Sequence, residues 1–304
     1  MNFPKMSTEQ LLEKLKLPDG KINMVLDTDT YNEIDDQFAV VYAMHSPERL
    51  NVQAIYAAPF FNEKSSGPGD GMNKSYEEIH RLFDRMHRTI PDGFVLKGSD
   101  RYLESLDTPC YSEAVRDLID RAMSATEPLY VVAIGAITNI ASAMLIEPRI
   151  IEKIVIVWLG GNALYWPDTK EFNLAQDVLA AQMIYNSGVP LVMLPCMNVV
   201  THLSTTVAEL EQYVDGQSDI GTYLTQNVRE CYRENIAGSR VIWDVSAIAY
   251  LINPSWVPTR LVNSPVLTDQ VTWSVDQSRH FMKIAVHVDR DLIFTDLFDK
   301  IKRG

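Results

Sequence analysis

Short, almost uninterrupted apolar segments alternate with amphipathic segments through the first two thirds of this chain. Residues 129–134 (LYVVAI) and 153–159 (KIVIVWL) are typical, since each is bounded by polar or turn residues and is shorter than most buried helices. Strands that are apolar along their whole length, rather than at every second residue, are buried on both faces, as in parallel sheets. The alternation therefore predicts an α/β fold in which helices flank an open, mostly parallel sheet.

The same periodicity gives approximate bounds for the elements. Strands are predicted at 22–26, 52–58, 94–97, 129–134, 153–159 and 190–194. Helices are predicted at 7–16, from Ile34 onwards, and at 75–88, 111–124, 137–146 and 175–187. After residue 200 the pattern is mostly helical, with segments at 205–215, 219–235, 244–252 and 290–302 and several short strand-like pieces before the last helix. The Gly/Pro/Ser-rich residues 62–73 predict a long surface loop after the second strand.

Composition and charge narrow the possible functions. The chain has 27 Lys and Arg against 40 Asp and Glu, a net charge of −13, which disfavours a nucleic-acid or anionic-membrane surface. No segment reaches the roughly 18 apolar residues of a membrane span. Residues 1–20 lack the apolar core of a signal peptide. With no repeat or linker, we expect one cytoplasmic domain over 1–304, with 1–20 as an N-terminal extension and a helical C-terminal part.

Four aspartates lie within ten residues directly after the first predicted strand. Asp27 and Asp29 end the strand, and Asp35 and Asp36 begin the following helix. An acidic pair at a helix N-terminus has an ordinary capping explanation, but two further acids at a strand end do not. Crowded carboxylates repel one another, and a hard cation such as Ca²⁺, which takes about 6–8 oxygen ligands, removes that conflict. The loop therefore predicts a divalent-metal site.

Two known kinds of acidic loop offer alternatives. An EF-hand that started at Asp27 would need Gly at its sixth position and an acid at its twelfth, where this chain has Asn32 and Phe38. The nucleophile loop of haloacid-dehalogenase-type phosphotransferases also reads strand-Asp-x-Asp-x-Thr. In that class the remaining acids come from a distant strand, whereas here the second pair follows on the same loop. The phosphotransferase stays open as the less favoured alternative.

Further polar segments follow later strands. A Gly-containing turn at 134–141 (IGAITNIA) can expose backbone carbonyls, which are acceptable calcium ligands. Asn162, after Gly160-Gly161, and Glu171 and Asn173 offer amides and a carboxylate that suit vicinal hydroxyls of a sugar. Trp243-Asp244 begins an apolar helix. Each segment taken alone is equally explained by loop polarity or helix capping.

Taken in order, these segments resemble the inosine/uridine-preferring nucleoside hydrolase family. That family has a strand-Asp-x-Asp loop leading to an Asp-Asp helix start, a Gly-Pro-Leu-Thr-Asn turn, Gly-Gly-Asn, Glu-Phe-Asn, and an Asp at the head of a late helix. The resemblance runs from about residue 22 to 255. It implies an open α/β fold whose site lies at the carboxyl ends of the strands, which agrees with the periodicity.

The resemblance also implies a role for each matching residue. Ca²⁺ would be held by Asp29, Asp36, Asp244 and the backbone carbonyl of Thr138. Asp35 would be the general base for the attacking water, with Asp27 orienting the site. Ribose hydroxyls would be bound by Asn62, Asn162, Glu171 and Asn173. The implied reaction is calcium-dependent hydrolysis of a small-molecule nucleoside to ribose and free base, by a homodimer or homotetramer.

This chain departs from the family pattern at two important places. The spacing between Asp29 and Asp35 is two residues longer than the family's usual loop, which passes through Pro-Gly. Many members also have a His before the late Asp to protonate the leaving base, whereas this chain has Trp243. A Trp there is similar to the purine-preferring branch, so we expect purine nucleosides as substrates and Trp243 in the catalytic site. A calcium-dependent nucleoside-binding protein without turnover is the alternative.

Overall fold

The computed structural model describes residues 3–231 and 238–303 of the 304-residue chain. Its strands are β1 (Ile22–Thr28), β2 (Leu50–Ala57), β3 (Val95–Lys97), β4 (Leu129–Ala133), β5 (Ile154–Leu159), β6 (Leu191–Leu194), β7 (Ser204–Thr206), β8 (Ser239–Val241), β9 (Thr259–Asn263), β10 (Val266–Leu267), β11 (Trp273–Ser274) and β12 (Phe281–Ala285). Its α-helices are α1 (Thr8–Lys14), α2 (Asp35–Met44), α3 (Pro68–Arg85), α4 (Glu113–Ser124), α5 (Thr138–Ile146), α6 (Phe172–Gln176), α7 (Val178–Ser187), α8 (Val207–Tyr213), α9 (Asp219–Cys231), α10 (Val245–Ile252) and α11 (Arg290–Lys302).

Eight strands form one sheet in the order β3-β2-β1-β4-β5-β6-β12-β9. Every neighbouring pair is parallel except β12 and β9, which are antiparallel. The predicted open, mostly parallel α/β sheet is therefore confirmed. The strand-like pieces predicted near the C-terminus contribute β12 and the edge strand β9 to this sheet, so the C-terminal part is not helical throughout.

Side chains on the two faces of the sheet belong to separate apolar clusters. In β1, Met24 and Leu26 pack in one cluster, and Val25, which points to the other face, packs in the second. The first cluster includes α2, α10 and α11, and the second includes α4, α5 and α7. Helices thus cover both faces, which is why the strands needed to be apolar along their whole length. The N-terminal helix α1 joins the first cluster through Leu11.

The long loop predicted at 62–73 is wrong in its second half, because α3 already begins at Pro68. Proline is favoured in the first turn of a helix, where its missing N–H would have no partner. Gly71 then passes so close to the loop that a Cβ atom there would overlap the backbone oxygen of Phe60. The predicted helix 175–187 is also divided at Asp177, whose side chain accepts a hydrogen bond from Ala180 N and caps α7.

The predicted helix 219–235 is present as α9 up to Cys231, and the rest of that prediction lies outside the described residues. Beyond the gap, β8 pairs with β7 in a small antiparallel sheet. This pairing continues into the segment that leads to α10, where Ile242 N donates to the Leu203 carbonyl over 2.8 Å. Within the described ranges, no helix has the combined length and hydropathy that a membrane crossing needs.

A buried lysine joins α2, the helix that begins with Asp35 and Asp36, to the C-terminal helix α11. Lys300 Nζ lies 2.8 Å from a Glu48 oxygen and 3.0 Å from an Asp296 oxygen, and it donates a hydrogen bond to Ser46. Tyr42 donates to the same Asp296 carboxylate over 2.6 Å. A buried ammonium group surrounded in this way is satisfied and fixes the position of α2.

Replacement of Gly71 by alanine tests the close approach of α3 to the preceding loop. The added methyl must displace backbone, so we expect the Gly71→Ala variant to lose about 1–3 kcal/mol of unfolding free energy in urea. Gly20→Ala is the matched control, because a Cβ at Gly20 meets no atom within 4 Å. Equal stability of the two variants would contradict the close approach.

Because His45 is buried, we expect the protein to lose stability in acid. Burial, assisted by the charge of Arg88, lowers the pKa of His45 to about 4. An unfolded histidine has a pKa near 6.5, so the unfolded chain takes up this proton first as the pH falls. Stability should therefore decrease from about pH 6.5 towards pH 4, and His45→Gln should reduce that decrease in urea titrations at several pH values. An unchanged pH dependence in His45→Gln would refute the prediction.

Candidate active site

The aspartate loop lies at the carboxyl end of β1, between β2 and β4. Asp27 belongs to the strand itself, Asp29 follows it, and Asp35 and Asp36 form the first turn of α2. Asp244 reaches the same region from the residue before α10. All five side chains are no more than 3% exposed. The loop and one residue far from it in sequence therefore bring five buried carboxylates to one edge of the sheet.

Hydrogen bonds satisfy only part of this carboxylate cluster. Asp27 Oδ1 accepts from Asn139 Nδ2 over 2.7 Å, Asp36 Oδ1 accepts from Thr28 Oγ1 over 2.6 Å, and Asp35 Oδ2 accepts from Trp243 N over 3.1 Å. The carboxylate oxygens that are buried without a hydrogen-bond partner among the described residues are Asp27 Oδ2, both oxygens of Asp29, and Asp35 Oδ1. Buried charged oxygens without partners are costly, and a coordinated cation is the usual remedy.

The electrostatics of the cluster agree with its geometry. Burial raises the pKa of Asp27 and that of Asp35 to about 7. The pKa values of Asp29, Asp36 and Asp244 are raised well above 3.8, first by burial and then by repulsion from the other aspartates. A bound divalent cation lowers these pKa values again, because its positive charge stabilises the ionised carboxylates.

Three of the carboxylates are close enough to share an ion. Oxygens of Asp35, Asp36 and Asp244 lie within 4.8 Å of one another. Asp29 adds two further buried oxygens, and its Oδ1 lies 3.0 Å from the Cβ position of Gly135 in the turn after β4. An all-oxygen set of this kind fits a hard divalent cation.

A cavity of about 360 Å³ opens above these aspartates. Its lining comes from the ends of β4, β5 and β6, the aspartate loop and the segment before α10. The lining residues are Asn32, Glu33, Asp35, Asp36, Ile134, Leu159, Asn162, Lys170, Glu171, Phe172, Asn173, Cys196, Met197, Arg240, Val241, Trp243 and Asp244. The volume lies within the range of small-molecule sites, roughly 300–1,000 Å³. Its position outside the carboxyl ends of parallel strands is where such folds bind ligands.

Three sugar-binding candidates form one wall of the cavity and are also structural. Glu171 caps α6, and its carboxylate accepts hydrogen bonds from the backbone nitrogens of Gly161, Asn173 and Leu174. Asn173 Nδ2 donates to the carbonyls that end β4 and β5, each over 3.1 Å. Asn162 accepts from Met197 N and donates to the Asp168 carbonyl. These contacts hold the wall rigid.

Four predicted site residues lie outside the cavity lining: Asp27 and Asp29 of the aspartate cluster, Thr138 and Asn62. Thr138 is buried at the start of α5, and its hydroxyl donates to Asp177 over 2.7 Å. Asn62 donates to Asn32 Oδ1 over 2.7 Å, and Asn32 does line the cavity. The structure thus brings Asp35, Asp36 and Asp244 together directly. Asn62 is linked to the cavity through its hydrogen bond to Asn32.

The lengthened aspartate loop is held by contacts with three other segments of the chain. Lys64 donates to the Asn32 carbonyl over 2.6 Å, and Tyr31 N donates to Ser75 Oγ. Glu33 pairs with Arg240 at 3.0 Å. Neither Arg240 nor the contact of Asn139 with Asp27 was predicted from the sequence. Asn139 stands in the recognised Thr-Asn turn, which was a usable signal, whereas nothing in the sequence pattern marks Arg240.

Trp243 lines the cavity and is partly buried. Its backbone nitrogen binds Asp35, and its indole nitrogen is buried without a hydrogen-bond partner among the described residues. No histidine of the described ranges lines the cavity. The side chain next to the late aspartate is therefore an aromatic surface and not an acid.

The sequence model for inosine-uridine preferring nucleoside hydrolases matches residues 69–295. The chain belongs to this family. Membership confirms the resemblance carried by the motifs and removes support for the phosphotransferase alternative. The matched range begins after the aspartate loop. Any role of that loop is therefore inferred from its position in the structure and not from the family match.

Curated relatives and solved structures show what this family member is similar to. The pyrimidine-specific ribonucleoside hydrolase RihB of Shigella flexneri is 34% identical over 201 residues, which cover 62% of this chain and 61% of that protein. The match thus spans about three fifths of the relative's length.

Two solved structures share the fold over nearly the whole chain. A purine-preferring ribonucleoside hydrolase from Gardnerella vaginalis has a TM-score of 0.74 and 22% identity over 92% of this chain and 98% of that one. An inosine-uridine preferring nucleoside hydrolase from Bacillus anthracis has a TM-score of 0.67 and 14% identity over 94% of this chain and 100% of that one. At these identities the likeness concerns the fold.

Removal of the Asn139 amide tests its contacts with Asp27 and Ser99. An alanine leaves a buried oxygen of Asp27 without its donor and the backbone N–H and hydroxyl of Ser99 without their acceptor, so we expect Asn139→Ala to lower the unfolding free energy by about 1–3 kcal/mol. Asn51→Ala removes an amide hydrogen bond at an exposed position and should have a smaller effect. Urea unfolding measures both, and a loss at Asn139 no larger than that at Asn51 would show that these contacts are unimportant.

Proposed function

We propose that this protein hydrolyses the N-glycosidic bond of ribonucleosides with the help of a bound Ca²⁺. The observation that carries the proposal is the cluster of Asp35, Asp36 and Asp244 at the base of a 360 Å³ cavity, with nearby buried oxygens that lack partners. Family membership supports the reaction class. So do the curated relatives, which are named as ribonucleoside hydrolases.

The aspartates provide the proposed metal site. Asp29, Asp36 and Asp244 would hold Ca²⁺, joined by the backbone carbonyl of Thr138. When bound, the ion makes a coordinated water more acidic and neutralises the surrounding carboxylates. Ca²⁺ is favoured over Mg²⁺ because a set of several protein oxygens suits the larger ion, whereas Mg²⁺ usually keeps several waters.

Asp35 is the proposed general base. Trp243 N donates a hydrogen bond to Asp35 Oδ2, which fixes the orientation of the carboxylate. Asp35 Oδ1 has no hydrogen-bond partner among the described residues. As the water oxygen bonds to the anomeric carbon, its proton passes to Asp35, and the electron pair of the breaking C–N bond passes to the base. The transition state has oxocarbenium character, which nearby carboxylates stabilise. Asp27, fixed by Asn139, would orient the site.

The wall formed by Asn162, Glu171 and Asn173 is the proposed ribose site. Each side chain is already fixed by backbone contacts, so ribose would meet preorganised groups and binding would require little ordering. A carboxylate has about four acceptor positions, and Glu171 can therefore accept a hydroxyl in addition to backbone N–H groups. Asn62 would contribute through the loop that carries Asn32.

We infer a purine preference from Trp243. An indole ring at the cavity offers a large stacking surface, which favours a bicyclic base. The curated relatives are named as pyrimidine-specific, whereas the Gardnerella vaginalis structure is of a purine-preferring hydrolase. A substrate panel that contains both classes of base is therefore the direct test.

A nucleoside-binding protein without turnover is the second candidate. The observation that favours it is the absence of histidine from the cavity lining within the described ranges. A site without an acid for the leaving base can bind a nucleoside through the same wall and metal. Binding and turnover must therefore be measured separately.

Release of reducing sugar from inosine, guanosine, adenosine, uridine and cytidine tests the proposed function. We expect release in millimolar Ca²⁺, loss with chelator, higher rates with purines, and a loss of about 10²–10⁴-fold in Asp35→Ala. Asp120→Ala, at an exposed surface position, should retain wild-type rates. Calorimetric binding without release of ribose from any nucleoside would favour the second candidate, and neither binding nor release would refute both.

A further inference from the structure

The lining of the cavity divides into two parts by chain segment. One part, from β5 to α6, carries Asn162, Glu171 and Asn173. The other part comes from the lengthened aspartate loop and the segment before α10, and it carries Glu33 and Arg240 beside Trp243 and Asp35. If ribose occupies the first part, the base attached to its anomeric carbon extends towards the second.

Arg240 is a largely buried positive charge in that second part. Its side chain is 19% exposed, and one of its nitrogens lies 3.0 Å from a Glu33 oxygen. Arg240 lines the same cavity as Asp35, the group proposed to activate water. A guanidinium group stays protonated at all relevant pH values and presents several donors in a planar fork.

The departing base creates the need for such a group. When the C–N bond breaks, the base leaves with the bonding electron pair, and negative charge develops on its ring unless the base is protonated; a hydrogen-bond donor beside the ring stabilises that charge. No histidine within the described ranges lines this cavity. The other basic lining residue, Lys170, is exposed and lies next to Glu171 in the ribose part.

We propose that Arg240 binds the nucleobase and stabilises the negative charge that develops on it, while Glu33 positions the guanidinium. The inference rests on the proposed function. Arg240 donates hydrogen bonds and keeps its proton, so the free base takes up a proton from solvent after the bond breaks. The lengthened loop then has a purpose, since its additional residues place Glu33 opposite Arg240.

The loop is anchored well enough for this task. Asn32, next to Glu33, is held through its side chain by Asn62 and through its carbonyl by Lys64. Glu33 is thus fixed from one side by the loop after β2. A guanidinium that is held by such a carboxylate loses less freedom when it meets the base, which is the basis of electrostatic preorganisation.

Comparison of two substrates separates this role from others. Inosine has a poor leaving group, whereas p-nitrophenyl β-D-ribofuranoside has the same ribose and a leaving group that needs no stabilisation. In Arg240→Met we expect kcat/KM for inosine to fall by about 10²–10³-fold, as when a donor to developing charge is removed. The aryl riboside should be cleaved at the wild-type rate. Glu33→Gln should show a smaller loss with inosine only, and Arg240→Lys should lie between wild type and Arg240→Met.

Arg290→Met is the matched control, because Arg290 is 28% exposed and pairs with Glu209 away from the cavity. It should cleave both substrates as wild type does. Equal losses with inosine and the aryl riboside, or no loss with either, would overturn the role of Arg240. If Arg240→Met does not fold by circular dichroism, the same comparison in Glu33→Gln and Arg240→Lys decides. If the wild type cleaves neither substrate in Ca²⁺, the proposed function itself fails.

Discussion

Repulsion between buried carboxylates is the constraint to which the rest of the site responds. Five aspartates, each no more than 3% exposed, meet at the end of β1. Several of their oxygens have no hydrogen-bond partner among the described residues, and burial and mutual repulsion raise their pKa values. A fold accepts this only where the surrounding elements are rigid. Here the cluster lies between parallel strands that are covered on both faces. The hydrogen bond and ion pair of the buried Lys300 also hold α2 against α11.

The same polar groups build the cavity and face its interior. Glu171 closes the N-terminus of α6, Asn173 joins the ends of β4 and β5, and Asn139 joins the turn after β4 to Asp27. Truncation of such a residue removes a structural contact as well as a ligand contact. Measurements of activity at these positions must therefore be paired with measurements of stability, and the same holds for Asp35 and Arg240, which contact Trp243 N and Glu33.

The apolar pattern predicted the sheet because parallel strands buried on both faces leave a continuous signal in sequence. The aspartate loop was predictable because its acids are local. Contacts between distant segments left no such signal: Trp243 N binds Asp35 over a separation of 208 residues, and the pairing of Glu33 with Arg240 depends on how β8 leads into α10. The early start of α3 was missed because Gly and Pro were interpreted as loop residues, although Pro68 stands where helices favour proline.

The lengthened aspartate loop changes what the site can be expected to do. A loop with two additional residues and no anchors would weaken the cluster, because Asp29 and Asp35 would lose their fixed separation. This loop is instead bound by Asn62, Lys64 and Arg240. Each anchor comes from a different segment, so the additional length extends the wall of the cavity without loosening its base. A cavity with no histidine among its described lining residues then gains a permanent positive charge, and the two departures from the family pattern become parts of one arrangement.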